Sequence, residues 1–433
     1  MSPLAEVLLS IGVPVSGSDM NDGPAVKKLK ALGICVAVGH SADNIDGAGF
    51  VIRTAAARDD NVEISAARKK GIPIFERAQA WGYIMREYKN AICVSGVHGK
   101  TTTTSMVTHI LLSANADPTV MIGGTLPALQ SGYRIGGGDV IVLESCEYYN
   151  SYHSFSPTVA VVLNVDTDHL DFFKDLDEIK ESFKTFASLV PPDGAIVCNG
   201  DDENTMSALS PLGRELITFG LGAQNRVRAE NIMEAEASSS FDIMFDGEKI
   251  ASVSLRVPGL HNVKNALAAA AAVLTLGIDP VAIADGLGAF KGVERRFEYK
   301  GSFNGADIYD DYAHHPNELS ALLDAVSALS YKRVILAFQP HTFTRTKALF
   351  DSFLSELARA DLLFLAEIYA AREINTVGIS SNDLAEKLPG AVFCPTFSEI
   401  MDNISAVASP GDIILTVGAG DIYKVGEALA NLS

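Results

Sequence analysis

Gly96, His98, Gly99, Lys100, Thr101 and Thr102 lie where an apolar run, Ala91 to Val94, gives way to Met106, Val107, Ile110 and Leu111 at helical spacing. A strand, a glycine turn and a helix N-terminus in that order form a phosphate cradle, because free backbone N–H groups and the positive end of the helix dipole attract anionic oxygens. Gly96 and Gly99 let the backbone approach closely, Lys100 suits the β and γ phosphates of ATP or GTP, and the Thr101 hydroxyl suits Mg²⁺. One place departs from the usual pattern. The glycine expected five residues before Gly99 is Val94, and a chance Gly-Lys-Thr turn is the alternative.

Other polar residues follow apolar runs. Val140–Leu143 leads into Glu144 and Glu147, and Val159–Val165 into Asp166, Asp168 and His169 with Asp171 beyond. Val334–Phe338 leads into Gln339, His341 and Arg345, Leu362–Ala366 into Glu367, Arg372 and Glu373, and Ile413–Val417 into Gly418, Gly420 and Asp421. Open α/β sheets bind ligands beyond the carboxyl ends of their strands, so these groups outline a cleft shared between domains. Glu147 is a candidate metal ligand or a solvated loop acid. His169 is a candidate ligand or one half of a surface ion pair.

Alternating strand and helix candidates argue for an α/β fold with mostly parallel sheets. Three domains are expected: residues 1–89, with strand-like runs Val13–Val15, Ile34–Val38 and Gly49–Ile52; 90–295, with the cradle, Ala195–Cys198 and a hairpin in Phe241–Val257; and 296–433, a further α/β set. The 433 residues carry a net charge of −19, from 34 Lys plus Arg against 53 Asp plus Glu. Such a chain is no general polyanion binder, so any phosphate must be held by local groups. Cys35, Cys93, Cys146, Cys198 and Cys394 are scattered, which argues for buried thiols in a reducing compartment rather than a disulfide frame or zinc site. No run reaches the roughly 20 apolar residues of a membrane span, and a cytoplasmic enzyme is the expectation.

Taken together, SGVHGKTTTTSM, LESCEYYNSY, NVDTDHLDFF, PGLHNVKNALAA, GVERRFEYKG, DDYAHHPNE, FQPHTFTRT and GAGDIY resemble the Mur ligases of peptidoglycan synthesis over nearly the whole chain. The resemblance implies a Rossmann-like N-terminal domain, a P-loop central domain and a Rossmann-like C-terminal domain. It also accounts for Val94, since the family's phosphate loop is a shortened type. The implied reaction is ATP- and Mg²⁺-dependent: a substrate carboxylate is phosphorylated to an acyl phosphate, which an amine then attacks. DDYAHHPNE and FQPHTFTRT point within the family to joining L-alanine to UDP-N-acetylmuramate, with recycling of a peptide onto that same sugar nucleotide as the alternative. A nucleotide-binding protein without turnover would not need Glu147, His169 and His315 together.

Carried over by motif, Lys100, His169, His315 and Arg345 are the candidate catalytic residues, and Thr101, Glu147 and His169 the candidate Mg²⁺ ligands. Gly96, His98, Gly99, Lys100, Thr101, Thr102, His261, Asn262, Asn265, Arg296 and Asp311 are implied at the ATP. Tyr312, His314, His341, Arg372 and Glu373 are implied at the muramate carboxylate and amino acid, although Asn or His can cap helices and Arg372 and Glu373 can be surface charges. Thr342 stands where many relatives carry Arg. Ser16, Ser18, Asp19, His40 and Thr54 match positions near the sugar nucleotide. The strand and Gly-rich loop that precede the first helix in relatives are missing before Met1, and an N-terminally shortened version of a full ligase is the expectation, against a short protein with weak UDP-sugar binding.

Overall fold

The computed structural model describes residues 1–54, 57–170, 172–235, 238–327, 329–371 and 373–432. A ten-stranded sheet dominates it. Its parallel centre aligns Asn90–Ser95 between Val140–Glu144 and Val159–Val162, with Ala195–Asn199 and Leu216–Gly220 beyond on one side and Thr119–Leu126 on the other. Ala91, Ile92, Cys93 and Val94 are fully buried, as a strand covered on both faces requires. Three antiparallel-linked strands, Val227–Ala235, Ser238–Phe245 and Glu248–Leu255, extend one edge and contain the expected hairpin.

The helix Lys100–Ser113 follows the central strand and packs against Leu260–Leu274 and Pro280–Ala289. Ala268 to Ala272 are fully buried; their small side chains bring helix and sheet close and fix the floor of the cradle. A six-stranded sheet forms the C-terminal part. Ala306–Asp311, Ile413–Val417, Val334–Phe338, Leu362–Leu365 and Val392–Phe393 run parallel, and Glu298–Phe303 is the antiparallel edge. The N-terminal part holds two separate parallel pairs, Ser16–Asp19 with Cys35–Val38 and Val51–Arg53 with Ile74–Glu76.

Some expectations change. Val13–Val15 is not a strand; pairing begins at Ser16, because Pro14 has no N–H to give a ladder. The run Val159–Val165 leaves the sheet after Val162, and its remaining residues become the loop that carries Asp166 and Asp168. The thiols are not all buried, since Cys35 and Cys146 are exposed. No helix among the described residues is long and apolar enough to cross a membrane.

Candidate functional site

The glycine turn has backbone angles that only glycine adopts easily. Gly96 has φ +139° and Gly99 φ +83°. A Cβ on Gly99 would lie 2.6 Å from Asn265 Oδ1, and one on Gly96 would lie 2.9 Å from Leu163 Cβ. Lys100 Nζ curls back to donate to the Gly96 and Val97 carbonyls and to Glu147 Oε2 at 3.1 Å. Burial opposes its charge, but Glu147, aided by Cys146 and Glu144, outweighs burial and holds the ammonium above its usual pKa. The loop thus carries a fixed cation at a helix N-terminus.

The acidic groups divide between two places. Glu147, 1 % exposed, lies 3.6 Å from His169 Nε2, and Tyr148 stacks on that imidazole at 4.3 Å. Thr101 is not in this group: its hydroxyl donates to Glu144 Oε1 at 3.0 Å, and Glu144 also accepts the Gly123 N–H. Cys146 brings a third potential donor to Glu147 and His169, the three donor atoms lying within 4.8 Å of one another. Magnesium takes hard oxygen ligands and a thiol is soft, so the carboxylates and the Thr101 hydroxyl fit that ion better than Cys146 does.

Beside the loop opens a cavity of about 240 Å³, lined by His98, Gly99, Thr102, His261, Asn262, Asn265, Arg296 and Asp311 among others. Asn262 donates to the Pro258 carbonyl at 2.7 Å, and Asn265 accepts from Thr103 at 3.3 Å, so the helix start holds both amides in place. His261 is exposed. Arg296 lies over the Tyr312 ring at 5.1 Å. Asp311 accepts N–H groups from Phe297 and Ala313, and burial raises its pKa to about 6 against the pull of Arg296.

The C-terminal sheet delivers the next group. Arg345 pairs with Asp168 at 2.9 Å, both nearly buried, and reaches His341 Nδ1 at 3.3 Å. His341 stacks on Tyr369, with His314 edge-on at 5.6 Å, and Tyr312 meets His314 edge-on at 5.4 Å. His315 Nε2 donates to the Thr167 carbonyl at 3.1 Å while its Nδ1 accepts the Asn317 N–H. Both ring nitrogens of His315 are therefore engaged, Nε2 across to the loop of the central sheet and Nδ1 locally at the helix start. Glu373 accepts the Phe343 and Thr344 N–H groups and the Thr344 hydroxyl and caps the short helix Phe343–Ala348, which leaves its carboxylate turned to the helix start. Arg372 and Asp171 lie outside the described residues.

The N-terminal candidates collect elsewhere. Ser18 donates to Glu63 Oε2 at 2.7 Å and meets His40 Nδ1 at 3.1 Å, while His40 lies 3.5 Å from Glu63 Oε1. Ser16 and Asp19 are on the same exposed strand as Ser18, and Thr54 follows the strand Val51–Arg53. Glu63 was not singled out from the sequence, nor were Asn317 and Glu318, which line the cavity wall. For Glu318 a local signal exists: an acid three residues after His315, at the third position of the helix Pro316–Ser327, has the spacing of a capping box.

Three family models match the chain in order: the catalytic domain of the Mur ligase family over residues 1–89, the Mur ligase middle domain over 94–273, and the Mur ligase glutamate ligase domain over 295–420. The UDP-N-acetylmuramate--L-alanine ligase of Acetivibrio thermocellus is 45% identical over 433 residues, covering 99% of this chain and 92% of that one. The enzyme of the same name from Lachnospira eligens is 47% identical over 436 residues, covering 99% and 95%. Among solved structures, the UDP-N-acetylmuramate-alanine ligase of Thermotoga maritima matches with a TM-score of 0.80 and 30% identity, over 100% of this chain and 96% of that one. A murein peptide ligase from Psychrobacter arcticus shares the fold, with a TM-score of 0.70 at 23% identity. With identity of this order sustained across all three parts, the chain belongs to the Mur ligase family.

Proposed function

We propose that the chain is an ATP-dependent ligase that joins L-alanine to the carboxylate of UDP-N-acetylmuramate through an acyl phosphate, a step of peptidoglycan synthesis. The observation that carries this reading is the convergence of Lys100, Glu147 and His169 from one sheet with Arg345 from the other, Arg345 being held by Asp168. Residues 1–89 serve the sugar nucleotide, 90–295 the ATP, and 296–433 the amino acid and the closing of the site.

The glycine loop fits a triphosphate, because Gly96 and Gly99 hold positive φ angles and pack too close to Leu163 and Asn265 for any side chain, which fixes the loop N–H groups at the helix N-terminus. Loop N–H groups and Lys100 bind the phosphates and align the γ-phosphoryl group with the substrate carboxylate. Mg²⁺ would be held at two places, by Thr101 beside Glu144 and by Glu147 with His169, and would neutralise phosphate charge there. His261, Asn262, Asn265 and Asp311 hold the nucleoside, and Arg296 reaches its phosphates from the cavity wall. Arg345, whose planar fork suits carboxylate or phosphate, screens the two anions from each other as they meet. Tyr312, His314 and His341 form a partly buried wall for the amine. Keeping water out there protects the acyl phosphate from hydrolysis.

Phosphate release from ATP and Mg²⁺ is the test, with UDP-N-acetylmuramate plus L-alanine, then plus a tripeptide, then with each substrate alone. Release that requires L-alanine is expected. Release that requires the tripeptide instead would assign the chain to peptide recycling and sink the proposal.

A further inference from the structure

Glu318 sits on the C-terminal side of the cavity but reaches the phosphate loop. Its Oε2 stays local, accepting the N–H groups of His314 at 3.0 Å and His315 at 3.3 Å and so capping the helix Pro316–Ser327. Its Oε1 points across the cleft, 3.4 Å from His98 Nδ1 and 3.9 Å from Arg296 Nη1. One carboxylate therefore touches the loop that precedes Lys100, the arginine that enters the C-terminal sheet, and the two histidines of the DDYAHHPNE segment. Its side chain is only 12% exposed.

His98 is the other half of the observation. Its Nε2 lies 3.9 Å from Asp166 Oδ2, its ring is 4.9 Å from that of His315, and the Lys100 charge is close by. Neither ring nitrogen makes a hydrogen bond, although both are buried. A buried N–H without an acceptor is costly. The carboxylates therefore hold the ring by charge and leave its directional bonding unused at the edge of the cavity.

We propose that Glu318 is a positioning residue that locks the C-terminal sheet onto the phosphate loop, setting His98 and Arg296 as a second and third cation, beside Lys100, for the phosphates of the nucleotide. The proposal rests on the ATP-dependent reading above and adds to it a residue that acts through others. Docking of the C-terminal sheet brings Oε1 to His98, so the cations are assembled only when the cleft is closed. Burial disfavours charge on His98, but Asp166 and Glu318 outweigh it and raise its pKa to about 9, so the ring is cationic at neutral pH.

The test compares the full-length enzyme with Glu318→Gln, His98→Gln and the double variant, measuring ATP binding directly as well as KM for ATP and kcat. Gln keeps an acceptor for the helix N–H groups but removes the charge. Glu318→Gln is expected to raise KM for ATP about tenfold, the scale of one lost charge-assisted contact. It should also make KM rise further between about pH 6 and 8, as His98 then titrates nearer its ordinary range. His98→Gln, which leaves the helix cap intact, should raise KM by a similar factor, and the double variant should be little worse than either single one. A wild-type KM and pH profile in Glu318→Gln, an unchanged KM in His98→Gln, or fully additive effects would each overturn the proposal. Wild-type protein that binds ATP yet forms no product would instead count against the ligase reading alone.

Discussion

Lys100 shows how far a single residue can be read. Glycine spacing and the following helix placed it at a phosphate, and the structure adds that it is held by two loop carbonyls and by Glu147. Lys100→Ala is expected to lower phosphate release by about a thousandfold or more, since an aligned cation at the transferring group cannot be replaced by water, with the far-UV circular dichroism unchanged. Near-normal rates would remove the phosphate-loop assignment. Glu318 and Asp168 were harder to read because their partners are far away in the chain: His98 lies 220 positions before Glu318, and Arg345 lies 177 after Asp168. Spacing reveals local chemistry. It does not reveal which loop a carboxylate will meet once two sheets dock.

At the scale of elements, the strands Val334–Phe338 and Ile413–Val417 were legible to the residue, because a buried parallel strand is a short unbroken apolar run. The pair Val51–Arg53 and Ile74–Glu76 was only half visible, as three-residue strands on a partly exposed sheet leave little pattern. The helix Arg77–Met85 illustrates what burial alone hides. A Cβ on Gly82 would lie 1.8 Å from the Ser154 carbonyl oxygen, so this helix lies directly on the turn Tyr148–Ser154 that follows Glu147. Gly82→Ala is expected to cost about 1–3 kcal/mol of stability, as overpacking does, and to lower turnover by displacing that turn. Gly288→Ala is the control, for its new methyl would meet only the Ser254 carbonyl at 3.8 Å. In the helix Pro280–Ala289 that change should be neutral or stabilise by up to about 1 kcal/mol. Urea denaturation of both variants decides the matter, and equal midpoints would show that the helix does not press on the turn.

The whole molecule concentrates histidines where its two larger sheets meet, and that sets its response to acid. Burial, with Arg345 nearby, lowers His341 to about 4, and burial lowers His314 to about 3 despite the carboxylates of Glu318 and Asp168. Both are neutral when folded, whereas an unfolded histidine titrates near 6.5. Burial lowers His109 and His315 as well, and it lowers His261 to about 4, a shift that the exposure of its ring to solvent weakens. As pH falls below about 6.5 the unfolded chain therefore binds about three or more protons beyond the native one, and stability declines toward pH 4. Two groups enter the balance with other signs. His98, raised to about 9, contributes stability that is complete below 6.5 and is lost only as pH rises toward 9, so it leaves the acid window flat. Asp311, raised to about 6, takes up a proton in the native state below that pH and cancels roughly one of these. The net is about two protons or more, or roughly 2.7 kcal/mol per pH unit between about pH 6 and 5. Below the ordinary carboxylate range Asp168 and Glu318, both held lower in the native state, steepen the decline. Unfolding free energies from urea titrations at pH 6 and pH 5 should therefore differ by about 2–4 kcal/mol in favour of pH 6. His341→Asn should remove one proton's share of that difference, roughly 1 kcal/mol, because it deletes one of the several buried histidines. If the variant lost as much stability as the wild type over the same step, the histidines at the sheet junction would not be what acid attacks.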